Sequence, residues 1–347
     1  MQKNNFNFLR LLFALFVVIT HGYPLSAAST RDYLNQLTPG QFSFSTIGLA
    51  GFFIISGYCV YQSLDRSANI TTYYWKRVLR IFPALFVVLF LTVMLGPFVY
   101  DHGIQSYLTN ETVWTYLPSN MTLFHPQGMI EGIFTNSVYN PTINGSLWSL
   151  LYEFAFYIFL SALFFVNKKS RILVTLIVLC VLITGSLVFK KELGPMAFIL
   201  EADLVFEFAP YFFFGSFLAM LMAGRVKYKN AILTCSIFVL FLFTYAGAFD
   251  VVKYFTLPPI IVWIGLGANR YLVSFIDKVG DASYGIYIYS FPVQQTLMHY
   301  FDLGTAELIL SSVIISCIAG YLSWHWVEKR FLRYKEFLTR LEKKPVS

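Results

Sequence analysis

Phe6-Asn7-Phe8-Leu9-Arg10-Leu11-Leu12-Phe13-Ala14-Leu15-Phe16-Val17-Val18-Ile19-Thr20-His21-Gly22 is an apolar run of membrane-spanning length, interrupted by a guanidinium and an imidazole. About twenty apolar residues cross the hydrocarbon layer as a helix, because each backbone N–H and C=O is then satisfied within the segment. Arg10 and His21 stand eleven positions apart. At ~100° per residue that is three turns plus about 20°, so the two side chains share one face at depths roughly 16 Å apart. An ionisable residue in such a span costs roughly 2.5–3.5 kcal/mol on insertion scales, and so faces a bundle interior or a water-filled cavity. The expectation is a membrane protein with a polar seam that begins in its first helix.

The remaining sequence has the same character. Of 347 residues, 57% are hydrophobic and 12% charged, about half the charged fraction of a soluble domain, which excludes a soluble reading. Apolar windows of about twenty residues predict ten spans, at 6–22, 44–63, 78–99, 146–166, 172–189, 204–223, 231–248, 254–268, 282–300 and 306–326. Those at 172–189, 231–248 and 254–268 are short or interrupted by Pro. The predicted fold is therefore all-α and polytopic, a single membrane domain over residues 1–347. Ten spans put both termini on one side. With the termini in the cytoplasm, only Arg31, Lys190, Lys191 and Lys253 of the 25 Lys and Arg residues fall outside, as the positive-inside rule favours.

The inside set includes Lys168, Lys169 and Arg171, then Arg225, Lys227 and Lys229, and a basic tail over 329–347 that suits anionic headgroups. The net charge of +7 is accordingly a topology signal. No basic stripe of the nucleic-acid-binding kind is present, so membrane lipid is an expected partner and nucleic acid is not. A cleaved secretory leader ending near Ser26-Ala27-Ala28 is the rival reading of the first segment; Arg10 inside its apolar run argues against it. The four cysteines, Cys59, Cys180, Cys235 and Cys317, sit in predicted spans without metal or redox spacing. One connection is long: residues 100–145 contain no Lys or Arg and carry aromatic and turn residues, which predicts an extracytoplasmic loop with short helical pieces.

Three groups of polar residues could carry chemistry. Arg77 and Arg80 are three apart in Tyr74-Trp75-Lys76-Arg77-Val78-Leu79-Arg80-Ile81-Phe82-Pro83 and so point the same way on a helix, with Lys76 beside them. They are either ordinary flanking charges or a bidentate clamp for phosphate or carboxylate. Glu153 lies about two turns into an apolar span and requires either protonation or a partner; structural pairing and catalysis are both open. Glu207, with Glu201 and Asp203, reads as structural or interfacial. His102, His125, His299 and His325 fall in loops or near span ends and read as ordinary solvated or packed histidines. HExxH, Cys/His metal spacing, a Walker loop and Gly-x-Ser-x-Gly are all absent from the sequence.

These segments, taken in order, resemble one known family. The residues concerned are Arg10 and His21, Gly51-Phe52-Phe53-Ile54-Ile55-Ser56-Gly57-Tyr58, Arg77 and Arg80 before Pro83, Ser146-Leu147-Trp148-Ser149-Leu150 leading to Glu153, Ser283-Tyr284-Gly285-Ile286-Tyr287-Ile288-Tyr289, and Glu328-Lys329-Arg330-Phe331. Together they are similar to the acyltransferase-3 family of integral membrane acyltransferases, which move acyl groups, often acetyl, onto sugars of cell-surface glycans. One position departs. Where many relatives have a His after the late aromatic run, this chain has Ser290 before Phe291 and Pro292, so no role for that His carries over.

The resemblance implies an acyl-CoA co-substrate, with acetyl-CoA the usual one, entering from the cytoplasm. It also implies a glycan or lipid-linked saccharide acceptor outside, a bacterial inner-membrane location, and no permanently bound cofactor or metal. Arg10, Lys76, Arg77, Arg80 and Trp148 are then expected to bind acyl-CoA. His21 is expected to act as general base or through an acyl-imidazole, with Glu153 assisting it. The rival function is a transporter or flippase of a glycan or lipid, whose pathway would use the same buried polar residues.

Overall fold

A computed structural model describes residues 4–188, 200–222 and 228–337. Lys190, Lys191, Arg225, Lys227 and the tail beyond residue 337 lie outside the described residues. The described secondary structure is helical, with one isolated bridge between Tyr100 and Ile133 and no strand. The helices are α1 (Phe6–Leu25), α2 (Tyr33–Leu37), α3 (Phe44–Arg66), α4 (Ile70–Leu95), α5 (Ile104–Thr109), α6 (Glu111–Met121), α7 (Trp148–Ser161), α8 (Arg171–Val188), α9 (Ala202–Leu221), α10 (Lys229–Tyr245), α11 (Phe249–Leu266), α12 (Arg270–Val279), α13 (Ser283–Tyr300) and α14 (Thr305–Ser323).

A helix occupies each of the ten expected spans, and eight of the described helical segments are long and apolar enough to cross a membrane. Of the other two, α10 is short at 17 residues. The second, α13, has the length but not the hydropathy, because every residue from Ser283 to Pro292 is buried. A helix surrounded by protein packs against other side chains rather than lipid, so it tolerates the hydroxyls and amides that a lipid-facing helix excludes.

The chain divides into two compact units interleaved in sequence. The first comprises Met1–Phe13, Tyr33–Ile70 and Tyr152–Asp277. Its centre is the pair α3 and α9, which approach at glycines. A Cβ on Gly57 would strike the Phe212 carbonyl oxygen, and one on Gly215 the Ile54 carbonyl oxygen. Small residues at such points let backbones close, which is the usual basis of helix association where lipid is as apolar as the side chains. Ser43 starts α3 with a capping box to Thr46. Lys253 of α11 is 3% exposed and bonds both carboxylate oxygens of Glu207 of α9, at 2.6 and 2.8 Å, with Asp250 at 3.1 Å. Glu207 thus takes the structural part expected of it.

The second unit comprises Ala14–Asp32, Thr71–Leu151 and Lys278–Ser347. Here α13 packs on α14 through Gly285 and Gly320, where a Cβ on Gly285 would come within 2.8 Å of the Gly320 Cα. The stretch 100–145 is ordered by local bonds. Asn110 caps α6 by accepting from the Thr112 N–H at 2.9 Å. Tyr107 donates to the Val93 carbonyl at 2.6 Å, and burial pushes its phenol up to about 12, so it stays a donor at any working pH. The Gln295 amide donates to the Asn140 and Thr142 carbonyls at 2.9 and 2.7 Å, fastening this stretch to α13.

Arg80 of α4 forms the main ionic knot of this unit. Its guanidinium bonds Asp281 at 2.9 Å and Glu328 at 3.3 Å and lies over the Tyr284 ring. Glu328 comes from the wider π-helical turn Trp324–Glu328 that follows α14, and its side chain is 2% exposed.

Two outcomes follow from this packing. Gly57→Ala should lower stability by about 1–3 kcal/mol through overpacking, read as a lower thermal midpoint in detergent, while Gly128→Ala, which meets open space, should leave it unchanged. Arg80→Ala should cost about 3–5 kcal/mol by stranding buried carboxylates, with partial recovery when combined with Glu328→Gln. A wild-type midpoint for Arg80→Ala would show that the knot does not hold the unit.

Candidate active site

His21 lies in the last turns of α1, within the second unit. Its ring meets Phe291 of α13 edge-on, with centroids 5.1 Å apart and planes at 81°. Phe291 is 3% exposed and shares an apolar cluster with Leu25 and Leu308. Gly22, the next residue, leaves room for Ile309 of α14, which a Cβ would strike. Inside this apolar setting His21 Nδ1 is buried and has no hydrogen-bond partner among the described residues. A buried ring nitrogen is normally paired with protein or water, which sets this atom apart from the paired histidine nitrogen of His325.

α13 connects His21 with the basic end of α4. Tyr284 donates to the Ile81 carbonyl at 3.1 Å beside Arg80, and Phe291 follows seven residues later, two turns or roughly 10 Å along the axis. Between them Tyr287 shares a 2.5 Å hydrogen bond with the Ser149 hydroxyl. Ser290 is fully buried and donates to the Tyr287 carbonyl at 3.0 Å, so it has settled into a backbone contact rather than acting in place of an imidazole.

The expected cations are distributed unequally. Lys76 is 3.9 Å from Glu336, and neighbouring Trp75 donates to the Tyr334 carbonyl at 2.9 Å. Arg77 shares its face with Arg80 but is only partly buried. Arg80 is engaged by Asp281 and Glu328, which hold its guanidinium in place. This engagement was not readable beforehand, since Arg80 and Asp281 are 201 positions apart and Arg80 and Glu328 248.

Arg10 and Glu153 belong to the first unit and are partly buried. The expectation for Glu153 was protonation or a cationic partner. Among the described residues its Oε1 instead accepts from two hydroxyls, those of Ser56 and of Tyr157, the latter at 2.5 Å from one turn along α7. Trp148 opens α7 and is partly buried. Of the remaining histidines, His299 packs edge-on to Phe134 and His325 contacts the Val279 carbonyl at 3.2 Å, in keeping with ordinary structural use.

The model of the acyltransferase domain of the acyltransferase-3 family matches residues 3–325. Among named proteins, the chain is 30% identical over 346 residues to an O-acetyl transferase of Shigella phage Sf6, an alignment covering 96% of this chain and 97% of that protein. It is 31% identical over 185 residues to Nodulation protein 10 of Rhizobium leguminosarum bv. viciae, covering 49% of this chain and 46% of that protein. No solved structure matches. With a helical membrane architecture, and a match that runs from the first helix through the last, the chain belongs to the acyltransferase-3 family of integral membrane acyltransferases.

Proposed function

We propose that the protein is an O-acetyltransferase of the bacterial inner membrane, moving acetyl from acetyl-CoA to a hydroxyl of a cell-surface or lipid-linked saccharide. The observation that carries this reading is the buried, unpartnered Nδ1 of His21 in a member of an acyltransferase family. The phage relative's name, O-acetyl transferase, supports both the oxygen acceptor and the acetyl group. Family membership favours an enzyme over a transporter.

His21 Nδ1 takes the proton from the acceptor hydroxyl. The oxygen then bonds to the thioester carbonyl carbon, the carbon–sulfur bond breaks, and the departing coenzyme A thiolate recovers the proton from the imidazolium. The products are an acetyl ester and free coenzyme A, with no net change in protonation.

Donor binding falls to Lys76 and Arg77 at the cytoplasmic end of α4, with Trp148 of the same unit as a further contact. Arg80 contributes by fixing the helix turn that presents Arg77. The two turns of α13 between Tyr284 and Phe291 set the separation that the flexible pantetheine arm covers from phosphates to thioester. Glu153 is the second catalytic group proposed, its carboxylate fixed by Ser56 and Tyr157.

Coenzyme A release from acetyl-CoA, together with a glycan mass raised by one acetyl group, measures the reaction. His21→Ala should lower kcat by about 10²–10⁴-fold while the protein remains folded in the membrane; wild-type turnover in that variant would remove His21 from the mechanism. Combined Lys76→Ala and Arg77→Ala should raise the KM for acetyl-CoA by about tenfold or more, the loss of charge-assisted contacts, with kcat little altered. An unchanged KM would move the donor site elsewhere. Glu153→Gln should depress kcat at an unchanged thermal midpoint, whereas a parallel fall of both would reduce Glu153 to a structural part.

A further inference from the structure

His21 Nδ1 is not the only orphan on this part of the second unit. Gln294 and Ser146 are both 0% exposed, and Gln294 Oε1 and Ser146 Oγ also have no hydrogen-bond partner among the described residues. All three atoms belong to residues gathered around one ring. His21 meets Phe291 edge-on. Gly145, the residue before Ser146, is so close to Phe291 that a Cβ would come within 2.6 Å of the ring. Gln294 lies three positions after Phe291, on the same face of α13.

Local bonds fix two of these groups beside their neighbours. Gln294 Nε2 donates to the Val18 carbonyl of α1 at 2.9 Å, and Val18 is one turn before His21. Carbonyls of a helix point toward its C-terminus while side chains tilt toward its N-terminus. The Gln294 amide and the His21 ring therefore occupy the same turn of α1. Ser146 is held by its own N–H, which donates to Asn144 Oδ1 at 3.1 Å, while Asn144 Nδ2 donates to the Ile288 carbonyl of α13 at 2.9 Å.

Leaving a polar group buried without a partner costs about 1–3 kcal/mol, and apolar residues of similar size would remove that cost. The chemistry of the three atoms shows what would satisfy them. The imidazole nitrogen that lacks its proton, as Nδ1 must to act as base, and an amide oxygen are acceptors, and a serine hydroxyl both gives and accepts. Two acceptors side by side require two donors, and a polyol with adjacent hydroxyls supplies both.

Resting on the acetyltransferase reading, we propose that Gln294 and Ser146 form the acceptor subsite: they hold a second hydroxyl of a sugar ring next to the hydroxyl that His21 deprotonates. The acceptor is thus a vicinal diol, and the neighbouring hydroxyl is a recognition element.

The test uses the full-length protein in detergent or nanodiscs, acetyl-CoA as donor, and a panel of methyl hexopyranosides and methyl 6-deoxyhexopyranosides, each with its single-position deoxy analogues. Coenzyme A release is the readout. For the best glycoside, the wild type should prefer the parent over one deoxy analogue, lacking a hydroxyl adjacent to the acetylated one, by about tenfold or more in kcat/KM. Gln294→Met and Ser146→Ala should each lower kcat/KM for the parent by about tenfold and leave the deoxy analogue near its wild-type value. The preference then collapses, while the KM for acetyl-CoA stays constant.

A merely structural role would depress parent and analogue alike. That result, or variants that keep the full preference, overturns the proposal. Should Gln294→Met fail to fold for want of its Val18 contact, Ser146→Ala carries the test, since the Ser146 backbone bond is unaffected. If the wild type releases no coenzyme A with any glycoside, the acetyltransferase reading falls and this inference with it. If the wild type is active and His21→Ala is not, yet the preference survives in both variants, only the acceptor subsite is refuted.

Discussion

Every polar group drawn into an apolar helix must find a partner, because hydrocarbon offers none and the bare group costs several kcal/mol. The described structure meets this demand with specific pairings. Lys253 is enclosed by Glu207 and Asp250. Arg171, 6% exposed, divides its guanidinium between Asp65 and the Val166 carbonyl. Glu153 is met by the hydroxyls of Ser56 and Tyr157. Arg80 gathers two carboxylates and an aromatic face. Buried polar atoms without a partner among the described residues also occur singly, as at Tyr116, Tyr211 and Ser316, whereas those of His21, Gln294 and Ser146 come from segments that meet near Phe291.

The same constraint separates the two jobs done by the family-like segments. In Gly51–Tyr58 and Ser283–Tyr289 the glycines serve packing: Gly57 admits the Phe212 carbonyl, and Gly285 admits Gly320. The aromatic residues between them brace helices, as Tyr284 does through the Ile81 carbonyl. Close backbone approach of this kind is what holds helices together where burial of apolar area from water supplies no drive. These segments are therefore the frame.

The helices were legible in the sequence because a span announces itself by length and hydropathy alone, and α1, α3, α4 and α14 each do so. The spans at 172–189 and 254–268 read as short or Pro-interrupted yet form α8 and α11, whereas α13 falls short in hydropathy because its burial admits Tyr, Ser and Gln. His21 and Glu153 stood out because ionisable residues are rare in spans, and Arg80 because it lies inside one. What pairs with Arg80 did not, since Asp281 and Glu328 approach from distant parts of the chain. Gln294 carries no ionisable group and so gives no such signal. Its available signal was the Gln294-Gln295 pair inside an apolar segment, where one amide fastens the 100–145 stretch and the other faces α1.

The proposed transfer from a thioester to a sugar hydroxyl sets two opposed requirements. Water must be kept from the thioester, yet a well-hydrated polyol must be admitted to the same place. A wholly apolar pocket would satisfy the first and reject the acceptor, whose hydroxyls would lose their hydration without return. Phe291, packed with Leu25 and Leu308, supplies a dry wall. In the proposed subsite, His21 Nδ1, Gln294 Oε1 and Ser146 Oγ replace, at fixed positions, the hydrogen bonds that the sugar gives up. Preorganised partners of this kind favour the acceptor, because one ring brings both hydroxyls together where water would need two separately ordered molecules. The penalty of holding three orphans in the free protein is then released when the acceptor binds, which turns a cost in stability into selectivity for the alcohol.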